Sequence, residues 1–256
     1  MKGMIRSQKE LELMKQSGKI TALALKKAIE SARPGISLLE VEQVAEEEIK
    51  KLGAEPSFRS VPGYHWTTCL TVNDEVVHGL PRDIKLRVGD VLGIDVGALF
   101  KGWHTDSAWS VLVGGGLDKG LAEKKRFLQV GEDVLWKAIS QAVEGKRVGD
   151  ISATIQQGIE RQGYSVVRSY AGHGVGRYGH EEPEIPEYGS FGRGLLLKAG
   201  MTLAVEVIYA SGRGEVFETG DGWTVATRDR SLGGLFEMTV IVGKNKPEVL
   251  TDWRNS

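Results

Sequence analysis

The sequence predicts an α+β fold made of two related halves, and three features carry that prediction. Apolar residues recur at helical spacing in long stretches closed by glycine or proline. Short β-branched and aromatic runs alternate with turn residues, and the pattern of residues 8–115 returns in residues 145–245.

The first helix is announced by Ser7-Gln8-Lys9-Glu10, a capping-box spacing in which hydroxyl and carboxylate each satisfy a free backbone amide. Leu13, Met14, Ser17, Ile20, Ala24 and Leu25 supply its buried stripe until Pro34-Gly35 ends it. Ser37 and Glu40 repeat the device for a second helix over 38–52, with Val41, Val44, Ala45 and Ile49 inward and Gly53 as a left-handed cap. The acidic run Glu46-Glu47-Glu48 reads as a solvated face. Residues 56–81 read as short strands and turns. Strands follow over 91–96 and 109–113, with Lys101-Gly102 as a hairpin tip, and residues 121–143 read as a third helix.

The second half echoes the first. Gly145, Val148, Ile151, Ile155, Ile159 and Gly163 stand opposite Gly35, Leu38, Val41, Ala45, Ile49 and Gly53 at a constant offset of 110, and 199–206 matches 88–95 at an offset of 111. Asp95 and Glu206 are therefore counterparts. Residues 109–114 likewise resemble 238–243, which sets Asp106 near Glu237, two positions displaced and so on the same strand face. One domain over residues 1–256 is expected.

Composition narrows the function. An apolar fraction of 41% suits a packed core, and 33 basic against 34 acidic residues with no basic tract leave no footprint for nucleic acid or a membrane surface. No apolar run is long enough to span a bilayer, and the opening residues lack a signal core. Cys69 is the single cysteine, which fits a reducing compartment, and a cytoplasmic location is expected.

The chemistry is concentrated in carboxylates written inside apolar strands. Asp95, Asp106, Glu206 and Glu237 each need a partner there, because an ionised carboxylate in an apolar strand must be paired, hydrogen-bonded or metal-bound. An ion pair or an edge position explains any one of them; for all four, several cations would be needed in the same strands, and none is written there. The stretch 172–183 adds His173 and His180 among four glycines, which let backbone approach whatever the loop holds. Four carboxylates and one neutral imidazole can hold two divalent metal ions about 3.5–4 Å apart with a bridging hydroxide. Mn, Fe, Co and Zn all suit such a donor set. Cys69 is read as a small apolar wall residue rather than a metal thiolate.

Asp95, Asp106, His173, Glu206 and Glu237, together with Asn73-Asp74-Glu75-Val76-Val77-His78-Gly79-Leu80-Pro81 and the stretch 172–183, resemble the type I methionine aminopeptidases of pita-bread fold, from about residue 9 to residue 251. Residues 221–224 and 227–232 also look like family text. The resemblance implies a curved antiparallel sheet with helices on its outer face. It implies that Asp95 chelates one metal, that Asp106 and Glu237 bridge, and that His173 with Glu206 completes the other shell. His78 and His180 would contact substrate, Glu206 would shuttle the proton, and Tyr64, Cys69, Tyr170 and Trp223 would line the methionine pocket. The substrate would be the N-terminus of a peptide or nascent chain, with a transient ribosome contact allowed for and a monomer expected.

The chain departs from that pattern at Val207 (usually proline), Met238 (usually histidine), Gly179 (usually aromatic), Gly233-Gly234-Leu235 (usually small-Ala-Gln) and Val61-Pro62 (typically Tyr-His). No departure removes a ligand, and the lost histidine at Met238 is expected to loosen Glu237. Two other readings compete: a proline-directed peptidase of the same fold, which usually carries a further N-terminal domain, and a non-catalytic pita-bread binding protein, which usually lacks ligands. A type II enzyme is disfavoured by the short spacing from Glu206 to Glu237.

Overall fold

The computed structural model describes residues 3–114 and 119–256. Residues 1–2 of the opening run and residue 115, the expected end of the first half, lie outside them. Helix α1 (Gln8–Ser31) and helix α2 (Leu38–Lys51) both begin with the predicted capping boxes, Ser7 with Glu10 and Ser37 with Glu40. The chain then forms β1 (Glu55–Pro56), β2 (Thr68–Val72), β3 (Glu75–Val77), β4 (Val91–Phe100) and β5 (Trp103–Leu112). After α3 (Lys119–Ile139) and α4 (Val148–Glu160) come β6 (Ser165–Val166), β7 (Ala171–Gly174), β8 (Glu181–Pro186) and β9 (Thr202–Ala210). β10 (Val216–Glu218), β11 (Val225–Thr227), β12 (Gly233–Ile241) and β13 (Glu248–Val249) complete the chain.

One antiparallel sheet runs β1-β4-β5-β12-β9-β7-β8, with β2, β6 and β13 added beside β4, β9 and β12. The two halves of the chain therefore meet at the β5–β12 seam, in the middle of a continuous hydrogen-bonded surface. Alternation then sorts the side chains. Ile94, Val96, Trp109, Val205, Val207, Phe236 and Met238 join the apolar residues of all four helices in the main core. Their neighbours in sequence face the opposite side, where a smaller sheet of β10, β11 and β3 lies.

The third helix stops short of its predicted end. Beyond Ile139 the chain turns through bonds from Gln141 N to Ala138 O (3.0 Å) and from Ala142 N to Ile139 O (2.9 Å), and Val143 bridges Gly243. Ala142 is buried by that turn rather than by a helix face, which apolar spacing cannot distinguish. The hairpin strands β4 and β5 are longer than expected; in β5 the polar residues 104–107 interrupt the apolar signal but are buried. Thr105 is the centre of that bonding. Its hydroxyl lies 3.0 Å from Ser17 Oγ and 2.8 Å from Thr21 Oγ1, while Thr21 Oγ1 accepts from Ala98 N (3.0 Å) and Ser17 Oγ donates to Ala98 O or Trp103 O. This polar seam pins α1 across the hairpin that carries Asp95 and Asp106. Thr105→Val leaves buried hydroxyls on α1 short of a partner and is expected to lower unfolding stability by about 1–3 kcal/mol, read by urea denaturation.

Candidate metal centre

The four strand carboxylates and His173 fall on two adjacent rows of one sheet face. In the first row Asp95 pairs with Ala108, Ala108 with Glu237 and Glu237 with Glu206, so three carboxylates lie along a line across β4, β5, β12 and β9. Cys69 of β2 extends that row beside Asp95. In the second row Asp106 pairs with Gly97, and Thr239 pairs with Ala204, which in turn pairs with His173. Thr239 Oγ1 accepts from Asp106 N (2.9 Å) and donates to Asp106 O (2.8 Å), joining the two sides of that row. Ala108, Gly97 and Ala204 leave room between the larger groups, so the carboxylates converge on shared space.

That convergence is costly without cations. Asp106, Glu206 and Glu237 are buried, and among the described residues no Lys or Arg forms an ion pair with them or with Asp95. Asp95 Oδ1 and Glu237 Oε1 are buried without a hydrogen-bond partner. Burial pushes the Asp106 carboxyl up to about 7. Burial, and then the facing carboxylates, push Asp95, Glu206 and Glu237 well above the usual range. His173 Nδ1 lies 2.9 Å from the Gly174 carbonyl and so carries the proton, which leaves the Nε2 lone pair free, 4.0 Å from Glu237 Oε1. Burial lowers this imidazole to about 3, so the ring is neutral. Ligand atoms of Asp106, His173 and Glu237 lie within 4.8 Å of one another. Orphaned oxygens, crowded carboxyls and a correctly tautomerised imidazole together fit divalent metal ions.

A cavity of about 470 Å³ opens on this cluster. His78, at φ 57 just beyond β3, sets its ring edge-on to Tyr170 at 5.4 Å, and desolvation lowers it to about 4. The His180 ring lies 4.1 Å from that of His173, centroid to centroid, and the residue is exposed. Tyr64 donates its hydroxyl proton to Thr68 O (2.7 Å), its hydroxyl oxygen lies 3.2 Å from Cys69 Sγ, and its ring meets that of Trp223 edge-on at 4.9 Å between centroids. The cavity is thus lined by every candidate site residue named from the sequence. Phe58, Ser169, Glu184 and Ile208 also line it; isolated in loops or strand alternation, they carry no local signal.

Two buried carboxylates behind the cavity were not legible either. Glu42 accepts from Thr67 N (2.6 Å) and Thr68 N (2.9 Å) and so anchors the start of β2. Glu187 accepts from Ile208 N (3.0 Å) at a gap in the edge of β9, and burial followed by the nearby Glu206 raises its pKa well above normal. The departures from the family pattern divide by strand face. Val207 and Met238 are fully buried in the main core, on the side away from Glu206 and Glu237, so Met238 bears on Glu237 only through the shared backbone. Leu235 lines the cavity, and Gly179 leaves space open beside Ser57 and His104.

Residues 12–244 match metallopeptidase family M24. A methionine aminopeptidase of Clostridium perfringens is 40% identical over 247 residues, covering 96% of this chain and 98% of that protein. Methionine aminopeptidase 1 of Bacillus subtilis is 41% identical over 243 residues, 95% of this chain and 96% of that protein. The crystal structure of a Thermotoga maritima methionine aminopeptidase superposes with a TM-score of 0.92 at 42% identity, covering 96% of this chain and 98% of that one. The fold is the pita-bread fold, and the chain belongs to metallopeptidase family M24.

The crowded carboxyls make a pH prediction. Because folding raises their pKa values, the metal-free folded protein holds protons that the unfolded chain releases above about pH 4, so its stability falls as pH rises, through about 7 for Asp106 and beyond for the others. The lowered histidines act oppositely, but their contribution is complete above about pH 6.5. Between about pH 6.5 and about pH 8 the melting temperature of metal-free protein is expected to drop, while protein saturated with a divalent ion holds or gains stability. Parallel pH profiles for the two forms in thermal melts would contradict the arrangement.

Proposed function

We propose that the chain is a divalent-metal-dependent aminopeptidase that removes the N-terminal methionine of peptides and nascent proteins. The observation that carries this reading is the two-row cluster of unpaired carboxylates and neutral His173, at the floor of a cavity walled by Phe58, Tyr64, Cys69 and Trp223. The 40% and 41% identities to named methionine aminopeptidases support it and leave the proline-directed and binding-protein readings without a favouring observation.

Asp95, Asp106, His173, Glu206 and Glu237 would hold the metal ions. Bound there, divalent ions supply Lewis acidity and lower the pKa of a water toward neutrality. Glu206, whose carboxyl is raised by burial, is suited to take a proton on its carboxylate and return it to the new amine. The neutral rings of His78 and His180 can donate an N–H hydrogen bond to the scissile carbonyl oxygen or steady the leaving amide nitrogen. Tyr64, Cys69, Tyr170 and Trp223 would enclose the thioether side chain, whose soft sulfur favours aromatic contact.

The two halves are read as copies of one unit within a single catalytic domain. Gly35 and Gly145 share φ values of +90 and +89, and Gly89 and Gly200 share +88 and +89, at the offsets found in the sequence. No helix among the described residues is long and apolar enough to cross a membrane. Action on nascent chains as a cytoplasmic monomer, with at most transient ribosome contact, belongs to the same proposal.

Short peptides of Met-Ala, Met-Gly, Leu-Ala and Xaa-Pro type, offered to protein reconstituted separately with Mn, Co, Fe or Zn, test the reaction. Selective release of methionine with a metal requirement is expected; release of another residue would overturn the specificity, and no release with any metal would overturn the activity. His78→Ala is expected to lower kcat on the order of 100-fold with metal content unchanged. Loss of metal in that variant would place His78 among the ligands instead.

A further inference from the structure

The segment before α1 reaches the loop that carries His180. Arg6 is 8% exposed and lies inside the turn between β7 and β8. Its Nε donates to Thr202 Oγ1 (3.2 Å), its Nη2 to the Val175 carbonyl (3.3 Å) and to the Glu181 carboxylate, and its Nη1 to the Gly3 carbonyl. The backbone beside it is tied as well, by Arg6 N to Gly200 O (2.9 Å) and by the bridge of Ile5 with Met201. A Cβ on Gly176 would come within 2.2 Å of Arg6 Nη2, so the glycine is what lets the loop close around the guanidinium.

Glu181 is the residue next to His180. One of its oxygens meets Arg6 and the other accepts from Tyr178 N (3.0 Å), so the carboxylate closes the turn on itself while Arg6 holds the carboxylate. The side chains of this ion pair are 6% and 15% exposed, a degree of burial at which removing one partner strands the other. The His180 ring, by contrast, has no hydrogen bond among the described residues; beyond its contact with the His173 ring, its backbone decides where it points. A guanidinium fork is suited to this task, because one rigid plane reaches Thr202, Val175 and Glu181 together.

We propose that Arg6 is a positioning residue for His180: through Glu181 it fixes the turn that aims this ring across the cavity, which makes the segment before α1 a working part of the active site. The inference rests on the reading of His180 as a substrate-facing group of an aminopeptidase. Arg6 contacts neither the carboxylate cluster nor the residues lining the cavity, so any effect it has on His180 runs through Glu181 and the turn.

The test is a double-mutant cycle in the full, metal-loaded chain, combining Arg6→Met with His180→Ala and reading kcat and KM for methionine release, metal content and the NMR signal of the His180 ring. Release by the unaltered chain first establishes the aminopeptidase reading by itself. Arg6→Met is then expected to lower kcat roughly 10- to 100-fold with metal content kept, to shift or broaden the His180 signal but not that of exposed His65, and to add no further loss in His180→Ala. Arg6→Lys should recover part of kcat, since an ammonium can meet Glu181 but not all three acceptors. If Arg6→Met does not fold, Glu181→Gln cuts the same clamp and carries the same expectations. Equal losses with and without His180, loss of metal, or an unmoved His180 signal would overturn the inference, even where methionine release is confirmed.

Discussion

The crowding of four carboxyls, three of them buried and Asp95 half-buried, is the constraint on which the rest of this molecule depends. Left unbonded, Asp95, Asp106, Glu206 and Glu237 would swing apart or draw in water, and each would relieve the others. They cannot do so because each is fixed by strand register. The row from Asp95 through Ala108 and Glu237 to Glu206 uses the most regular part of the sheet, where β9 and β12 pair without a break over nine residues. Long strands and an uninterrupted ladder are what hold these crowded carboxyls together.

The packing on the other face answers the same demand. Residues that alternate with the carboxylates, among them Ile94, Val205, Val207, Phe236 and Met238, are locked into a core supplied by four helices. A strand gripped on its apolar side cannot rotate its polar side away. Polar groups complete the grip where apolar ones would not suffice: Thr105 against α1, Thr239 across the β5–β12 seam, and Ser107, whose hydroxyl donates to Glu237 O (2.8 Å). Each of these satisfies a buried group while setting the position of a neighbouring carboxylate, so stability and site geometry are carried by the same bonds.

Around this rigid floor the cavity wall is assembled from less regular segments, and they are held differently. The start of β2 hangs from Glu42, the gap in the edge of β9 is filled by Glu187, and the turn before His180 is clasped by Arg6 and Glu181. In each case a buried carboxyl or guanidinium group supplies hydrogen bonds that no strand partner provides. Loops that must present side chains to a substrate cannot be fully paired into a sheet, and long-range polar anchors substitute for that pairing.

The sequence by itself determined much of this. Both N-terminal capping boxes, the hairpin tip at Lys101-Gly102, the apolar faces of the first three helices and the matching positive-φ glycines are local, because propensity and periodicity act within a few residues. The candidate cluster was legible for a different reason: a carboxylate inside an apolar strand is improbable without a partner, and four of them point to one shared solution. Tertiary structure alone decided the direct pairing of Glu206 with Glu237 and their alignment with Asp95 through Ala108, since register across a seam between distant strands depends on both strands at once. It also decided that Ala142 is buried by a turn, that Met238 faces the core, and that Arg6 reaches Glu181 in the second half of the chain. Contacts between residues 175 positions apart leave no trace in local periodicity, because the energy that selects them exists only after the sheet has closed.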